Sequence, residues 1–184
     1  MNEKQVIRSI EEWLDTIVIG LNLCPFAAKP RRQDRIRIIV SDAQTEEEIL
    51  TSLDQEILHL SDTPTISTSL LVLDKGLCDF EQYNQFLQLA DDLLVQQGWQ
   101  GIFQIASFHP GYQFAGTDLE DKENLTNRSP YPILHILREE EIEDVLRHYP
   151  DPDNIPRNNI ARMTALSATQ IKKLFPYLSN TSKM

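Results

Sequence analysis

Cysteine is scarce in this sequence. The 184 residues hold two, Cys24 and Cys78, too far apart to form a CxxC pair. That excludes a disulfide framework and leaves both as expected free thiols. Long apolar runs are also missing: none approaches the roughly 18 residues of a membrane span, so no membrane partner is expected. The opening "MNEKQVIRSIEEW" is charged and amphipathic rather than basic then apolar, so it does not read as a secretion signal, and the cytoplasm is the expected compartment. Positive charge is in deficit, with 17 Lys and Arg against 28 Asp and Glu and a net charge of −11. Such a field repels nucleic acid, and no nucleic-acid partner is expected. The one basic cluster, "KPRRQDRIR" at 29–37, reads as a solvated loop feeding a strand, with an anion-contacting loop as the alternative. There is no Walker loop, GxGxxG, HExxH or GxSxG, so no motif names a cofactor. No repeat and no Gly- or Ser-rich linker divides the chain, which reads as one domain over 1–184 with 167–184 as a peripheral tail.

What is present is alternation of helix and strand. Val6, Ile10, Trp13, Leu14, Ile17 and Leu21 form one apolar stripe, predicting a helix over 3–23 that Pro25 stops. "RIRIIVS" (35–41) reads as a strand. Thr45 with Glu48 three residues on has the form of a capping box, opening a helix to about residue 60. "ISTSLLVLD" (66–74) is a second strand, and Asp79 caps a helix that ends near Gly98. "GIFQIASF" (101–108) and "PILHILR" (132–138) are the third and fourth strands, the latter running into a helix on Ile142, Val145, Leu146 and Tyr149. Two short amphipathic pieces follow. The order is α-β-α-β-α-β-β-α with a helical tail, which predicts an α/β fold with a mixed four-stranded sheet. The first three strands should be parallel and the fourth antiparallel to the third. Strand order is not readable.

Chemistry concentrates where the third strand ends. His109 follows "GIFQIASF" directly, and about two dozen residues with weak periodicity separate Phe108 from Pro132. Loops of that length in a compact domain are functional or disordered, and Tyr112, Phe114, Leu119, Leu125 and Tyr131 give this one anchors to bury. Thr117 or Asp118 could cap a helical turn in "LEDKEN". In open α/β sheets ligands bind beyond the carboxyl ends of parallel strands. An antiparallel fourth strand would return Arg128, Ser129 and Tyr131 to that edge. A histidine that moves protons beside a guanidinium that clamps carboxylate or phosphate suits a small anionic substrate. The expected function is therefore an enzyme on such a molecule, with His109 as acid/base and Cys24 as a second catalytic candidate. Arg128, Ser129, Tyr112, Tyr131, His135 and Arg138 are the expected substrate contacts. Blander accounts stand beside these. They make His109 the brace of a turn, His135 a satisfied interior histidine, and Cys24 an inert thiol at a helix C-terminus that raises its pKa. Two further alternatives are a metal-binding protein using Cys24, His109 and His135, and a non-catalytic partner-binding module presenting "PYP" and "YPDPDNIP".

"VIGLNLCPFA" (18–27), "FHPGYQFAG" (108–116), "NLTNRSPYPILHILRE" (124–139) and "IPRNNIA" (155–161) together resemble the bacterial domain-of-unknown-function family 1415, in the same order and over nearly the whole chain. The resemblance implies a single-domain cytoplasmic protein and attaches no activity. Its motif segments contain Cys24, His109, Arg128, His135 and Arg138. The tail after Leu166 carries no part of it.

Overall fold

The computed structural model describes residues 2–178 of the chain. Helix α1 (Glu3–Trp13) opens on a capping box in which the Asn2 side chain accepts from the Lys4 amide and the Gln5 side chain accepts from the Asn2 amide. The expected single helix to residue 23 is instead α1 followed by a π-helical turn, Leu14–Ile19. The wider turn keeps Leu14, Ile17 and Val18 buried on the stripe begun by Val6 and Ile10. Such turns are rare and recur at functional sites. A short helix α2 (Ala28–Arg32) precedes strand β1 (Ile36–Ser41).

Helix α3 (Glu46–Asp62) has the Thr45–Glu48 capping box its sequence predicts. Strand β2 (Thr68–Leu73) leads to α4 (Phe80–Gln96), capped by the Asp79 side chain, and then to β3 (Phe103–Phe108). After the long loop come β4 (Ile133–Arg138), α5 (Glu139–His148), α6 (Ile155–Ala165) and α7 (Ala168–Leu174).

The four strands form one mixed sheet in the order β1-β2-β4-β3, so this is an α/β fold. β1 and β2 pair parallel; β4 is antiparallel to both β2 and β3. The first three strands therefore share a direction, but β3 meets the others only through β4. Alternation along β4 sends Leu134 and Ile136 to one face and Ile133 to the other. On the first face α3 and α4 bury Ile49, Leu53, Ile57, Tyr83 and Phe86 against Leu71 and Leu73. On the second, α1 and the π-helical turn bury Val6, Ile10 and Ile17 against Leu70 and Val72.

The segment expected as a peripheral tail, as far as it is described, is a mostly exposed helix anchored at its end. Phe175 is 1% exposed within the second core, and the Tyr177 hydroxyl donates to the Arg128 carbonyl at 3.2 Å. Residues 179–184 of the expected tail lie outside the described residues. The long loop is folded around Asn124, which is wholly buried. Its Oδ1 accepts from the Phe114 amide and the Thr117 hydroxyl, both at 2.9 Å, and its Nδ2 donates to the Asp118 carbonyl at 2.8 Å. The helical turn expected in "LEDKEN" is a 3-10 turn shifted to Lys122–Thr126. Among the described residues, no helix is long and apolar enough to cross a membrane.

Candidate functional site

A cavity of about 400 Å³ opens on the second face of the sheet, within the size range of small-molecule sites. Leu70, Ala106 and His135 sit side by side across three strands and form its base. Trp13, Leu14 and Val18 of α1 and the π-helical turn make one wall. The segment from Cys24 to Gln33 makes a second, and Glu141, Ile142 and Val145 of α5 a third. Open α/β sheets usually bind ligands beyond the carboxyl ends of the strands. Here the cavity lies against the sheet face and extends to the opposite end, where Ile36, Thr68 and Arg138 line it.

His135 is the titratable group at the base. Its Nε2 lies 2.7 Å from Thr68 Oγ1, and that hydroxyl donates its one proton to the Ile136 carbonyl at 2.6 Å. The hydroxyl can therefore only accept from the ring, which assigns the neutral tautomer with the proton on Nε2. Nδ1 is left as an acceptor with no hydrogen-bond partner among the described residues. Burial pushes the His135 pKa down to about 4, so the ring is neutral at physiological pH. Phe108 packs beside it, with ring centroids 6.0 Å apart, and Trp13 meets Phe108 edge-on.

Cys24 is partly buried, and burial pushes its thiol pKa up, offset in part by the amides of Phe26 and Ala27. The thiol is thus protonated at rest. Two cations line the cavity with free or ion-paired heads, Lys29 and Arg35, against one carboxylate, Glu141. That balance is opposite in sign to the chain's net charge of −11. Arg35 is fixed by its Nε on the Thr65 carbonyl (3.0 Å) and by Nη2 on Glu141 (2.9 Å). Arg138 borders the cavity only at its edge: its guanidinium is turned to the α3 face, where it donates to the carbonyls of Ile66, Thr63 and Leu60 and lies over the Phe103 ring of the first core. Lys29 is exposed and has no ion-pair partner among the described residues.

The other expected site residues lie elsewhere. His109, 2% exposed, accepts from the Gly111 amide at Nδ1 (2.9 Å) and has Nε2 3.1 Å from the Leu77 carbonyl. Its ring is enclosed by Phe80 and Tyr83 on the α4 face of the sheet. Burial pushes its pKa down to about 4, against the opposing pull of the Leu77 carbonyl and Asp79. The Arg128 guanidinium bridges the Tyr112 and Leu119 carbonyls across the long loop. Its own carbonyl accepts from Trp13 Nε1 at 3.0 Å. Tyr112 packs tilted against Phe80 and edge-on against Phe114, and Ser129, wholly buried, donates to the Tyr131 carbonyl. Tyr131 packs against the second core. Cys24 and His135 thus share the cavity, and Arg138 reaches its edge with its guanidinium on the opposite face; His109, Arg128, Ser129, Tyr112 and Tyr131 do not line it.

The sequence profile of the family described as protein of unknown function (DUF1415) matches residues 5–173. The chain belongs to the DUF1415 family. The match runs past Leu166, so the segment 167–173, read from sequence as outside the resemblance, lies within the family. No curated protein and no solved structure matches the chain.

In this DUF1415 chain the metal set of Cys24, His109 and His135 is not assembled. The His109 ring is on the α4 face of the sheet, whereas Cys24 and His135 line the cavity on the other. Among the described residues no three His, Cys, Asp or Glu side chains come together in a way that could hold a metal ion. In the "PYP" stretch Pro132 is buried and Pro130 and Tyr131 are half-buried. Sequence reading missed Thr68, Arg35 and the α5 wall. The one signal for them was the basic cluster, whose Lys29 and Arg35 reach the cavity. Its Arg31 instead pairs with Asp15 and Glu11.

Proposed function

We propose that the protein is an enzyme acting on a small anionic molecule with a largely apolar body, bound in the cavity on the sheet face, and that His135 is its acid/base group. The carrying observation is the imidazole itself: neutral, oriented by Thr68, and with Nδ1 uncommitted at the base of an apolar cavity. A general base needs reach and a free acceptor before it needs a matched pKa. His109 and Arg128 fit bracing roles instead, because their polar atoms are already spent on backbone groups.

His135 takes a proton at Nδ1 from the bound molecule while Nε2–H stays on Thr68. A pKa near 4 makes the resting ring a weak base. Proton transfer from a neutral O–H, N–H or C–H leaves a negative charge beside the imidazolium, and that attraction offsets part of the desolvation that holds the ring's pKa down. Lys29, without an ion-pair partner among the described residues, and Arg35 support an anionic substrate, carboxylate or phosphate. Cys24, protonated at rest, fits a wall contact rather than a nucleophile.

The test uses anilinonaphthalene sulfonate, an apolar-bodied anion whose fluorescence reports binding. Wild type should bind it at one site, and Ala106→Trp, which fills the base, should abolish binding without unfolding the protein. Equal binding by both proteins places the dye elsewhere and removes the support for this cavity. His135→Gln should retain the dye, and a metabolite turned over by wild type should be left unchanged by this variant.

A further inference from the structure

Resting on that reading of the cavity, we propose that Arg35 is the anchor for the ligand's anionic head and that Glu141 is a built-in competitor for it. The ligand class is then a single-headed carboxylate with an apolar tail, its head exchanging with Glu141 and its tail on the sheet.

Arg35 is the cavity cation already paired with a carboxylate: Glu141 Oε1 lies 2.9 Å from Nη2. The guanidinium does not swing freely, because Nε is held 3.0 Å from the Thr65 carbonyl. It therefore presents a fixed edge to whatever carboxylate arrives, the geometry in which arginine recognises such groups best. Both partners are about one-third exposed, at 32% and 38%, so the pair sits where solvent meets the apolar walls. An incoming carboxylate can reach it without crossing the core. Glu141 belongs to the first turn of α5, the helix that supplies Ile142 and Val145 to the cavity. Lys29 lines the same cavity with no ion-pair partner among the described residues, and gives a second positive charge to an incoming head. Glu141 therefore keeps the anchor neutralised when the cavity holds no anion, and a ligand must displace it.

The consequence is counterintuitive for a cavity residue: removing Glu141 improves binding, and only for anions. Calorimetric titration with decanoate and decanol, matched in tail and differing in head charge, reads this directly. Wild type should bind decanoate more tightly than decanol. Glu141→Gln should tighten decanoate about threefold, the worth of one partly exposed ion pair, and leave decanol unchanged. Glu141→Ala should act in the same direction, and Arg35→Gln should erase the preference for decanoate. If decanol binds and Ala106→Trp blocks it, yet Glu141→Gln leaves decanoate unchanged or weaker, the competitor role is wrong and the cavity reading survives. An Arg35→Gln protein that keeps the preference for decanoate overturns the anchor role in the same way. If neither amphiphile binds wild type, the cavity reading fails and this inference falls with it.

Discussion

Thr68 Oγ1 lies 2.7 Å from His135 Nε2 and gives its own proton to the Ile136 carbonyl. One hydroxyl on β2 therefore decides which nitrogen of a β4 histidine carries the proton and which is left an acceptor. Thr68→Val removes that acceptor and strands the Nε2 proton. The variant should lose about 1–3 kcal/mol of stability, the cost of an unpaired buried polar group. Thr68→Ser should lose little. Urea unfolding of the three proteins at neutral pH measures it.

Stability should fall on mild acidification. Both His109 and His135 have folded-state pKa values near 4, below the ordinary 6.5. Between those values the unfolded chain binds more protons than the folded one, so stability is full above about pH 6.5 and is lost progressively towards pH 4. The loss should reach about 3 kcal/mol for His109, and less for His135, whose ring meets the cavity. Unfolding midpoints from pH 7 to pH 4 should flatten in His135→Gln relative to wild type.

His109 and Arg128 should matter for folding and not for ligand. His109→Ala removes a fully enclosed ring and both its hydrogen bonds, and should cost about 2–4 kcal/mol. Arg128→Ala leaves the Tyr112 and Leu119 carbonyls unpaired and should cost about 1–3 kcal/mol. Affinity for anilinonaphthalene sulfonate should be unchanged in the folded fraction of each. A folded, stable His109→Ala protein that has lost the dye would move the site back to the end of β3.

The two thiols should react differently. Cys78 is exposed, whereas the Cys24 thiol is partly buried with its pKa pushed up. Iodoacetamide at pH 8 should label Cys78 first, and bound dye should slow Cys24 further without affecting Cys78. Mass spectrometry of the labelled peptides reads both rates.

Local features were legible because local physics decides them. Thr45 and Glu48 announced the start of α3, Asp79 announced α4, and β-branched runs announced the strands. Even the direction of β4 followed from the missing crossover between it and β3. Strand order did not, since inserting β4 between β2 and β3 is a choice among non-local pairings. The cavity was hidden for the same reason. Its lining comes from α1, the π-helical turn and the segment after it, all four strands and α5, and no spacing in the chain brings Cys24 near His135. His109 was expected to face a ligand because a strand ends at Phe108. The chain instead folds back, so that Leu77 and Gly111 take up both ring nitrogens. His135, read from sequence both as a substrate contact and as a satisfied interior histidine, is the one that lines the cavity.

The most direct test is the nitrogen-15 spectrum of the imidazole rings, taken with and without anilinonaphthalene sulfonate. We expect His135 as the Nε2–H tautomer, with its Nδ1 resonance shifting as the dye binds and the His109 resonances unmoved. A His135 protonated on Nδ1, or a dye-dependent shift at His109 with His135 silent, would contradict the assignment of the site.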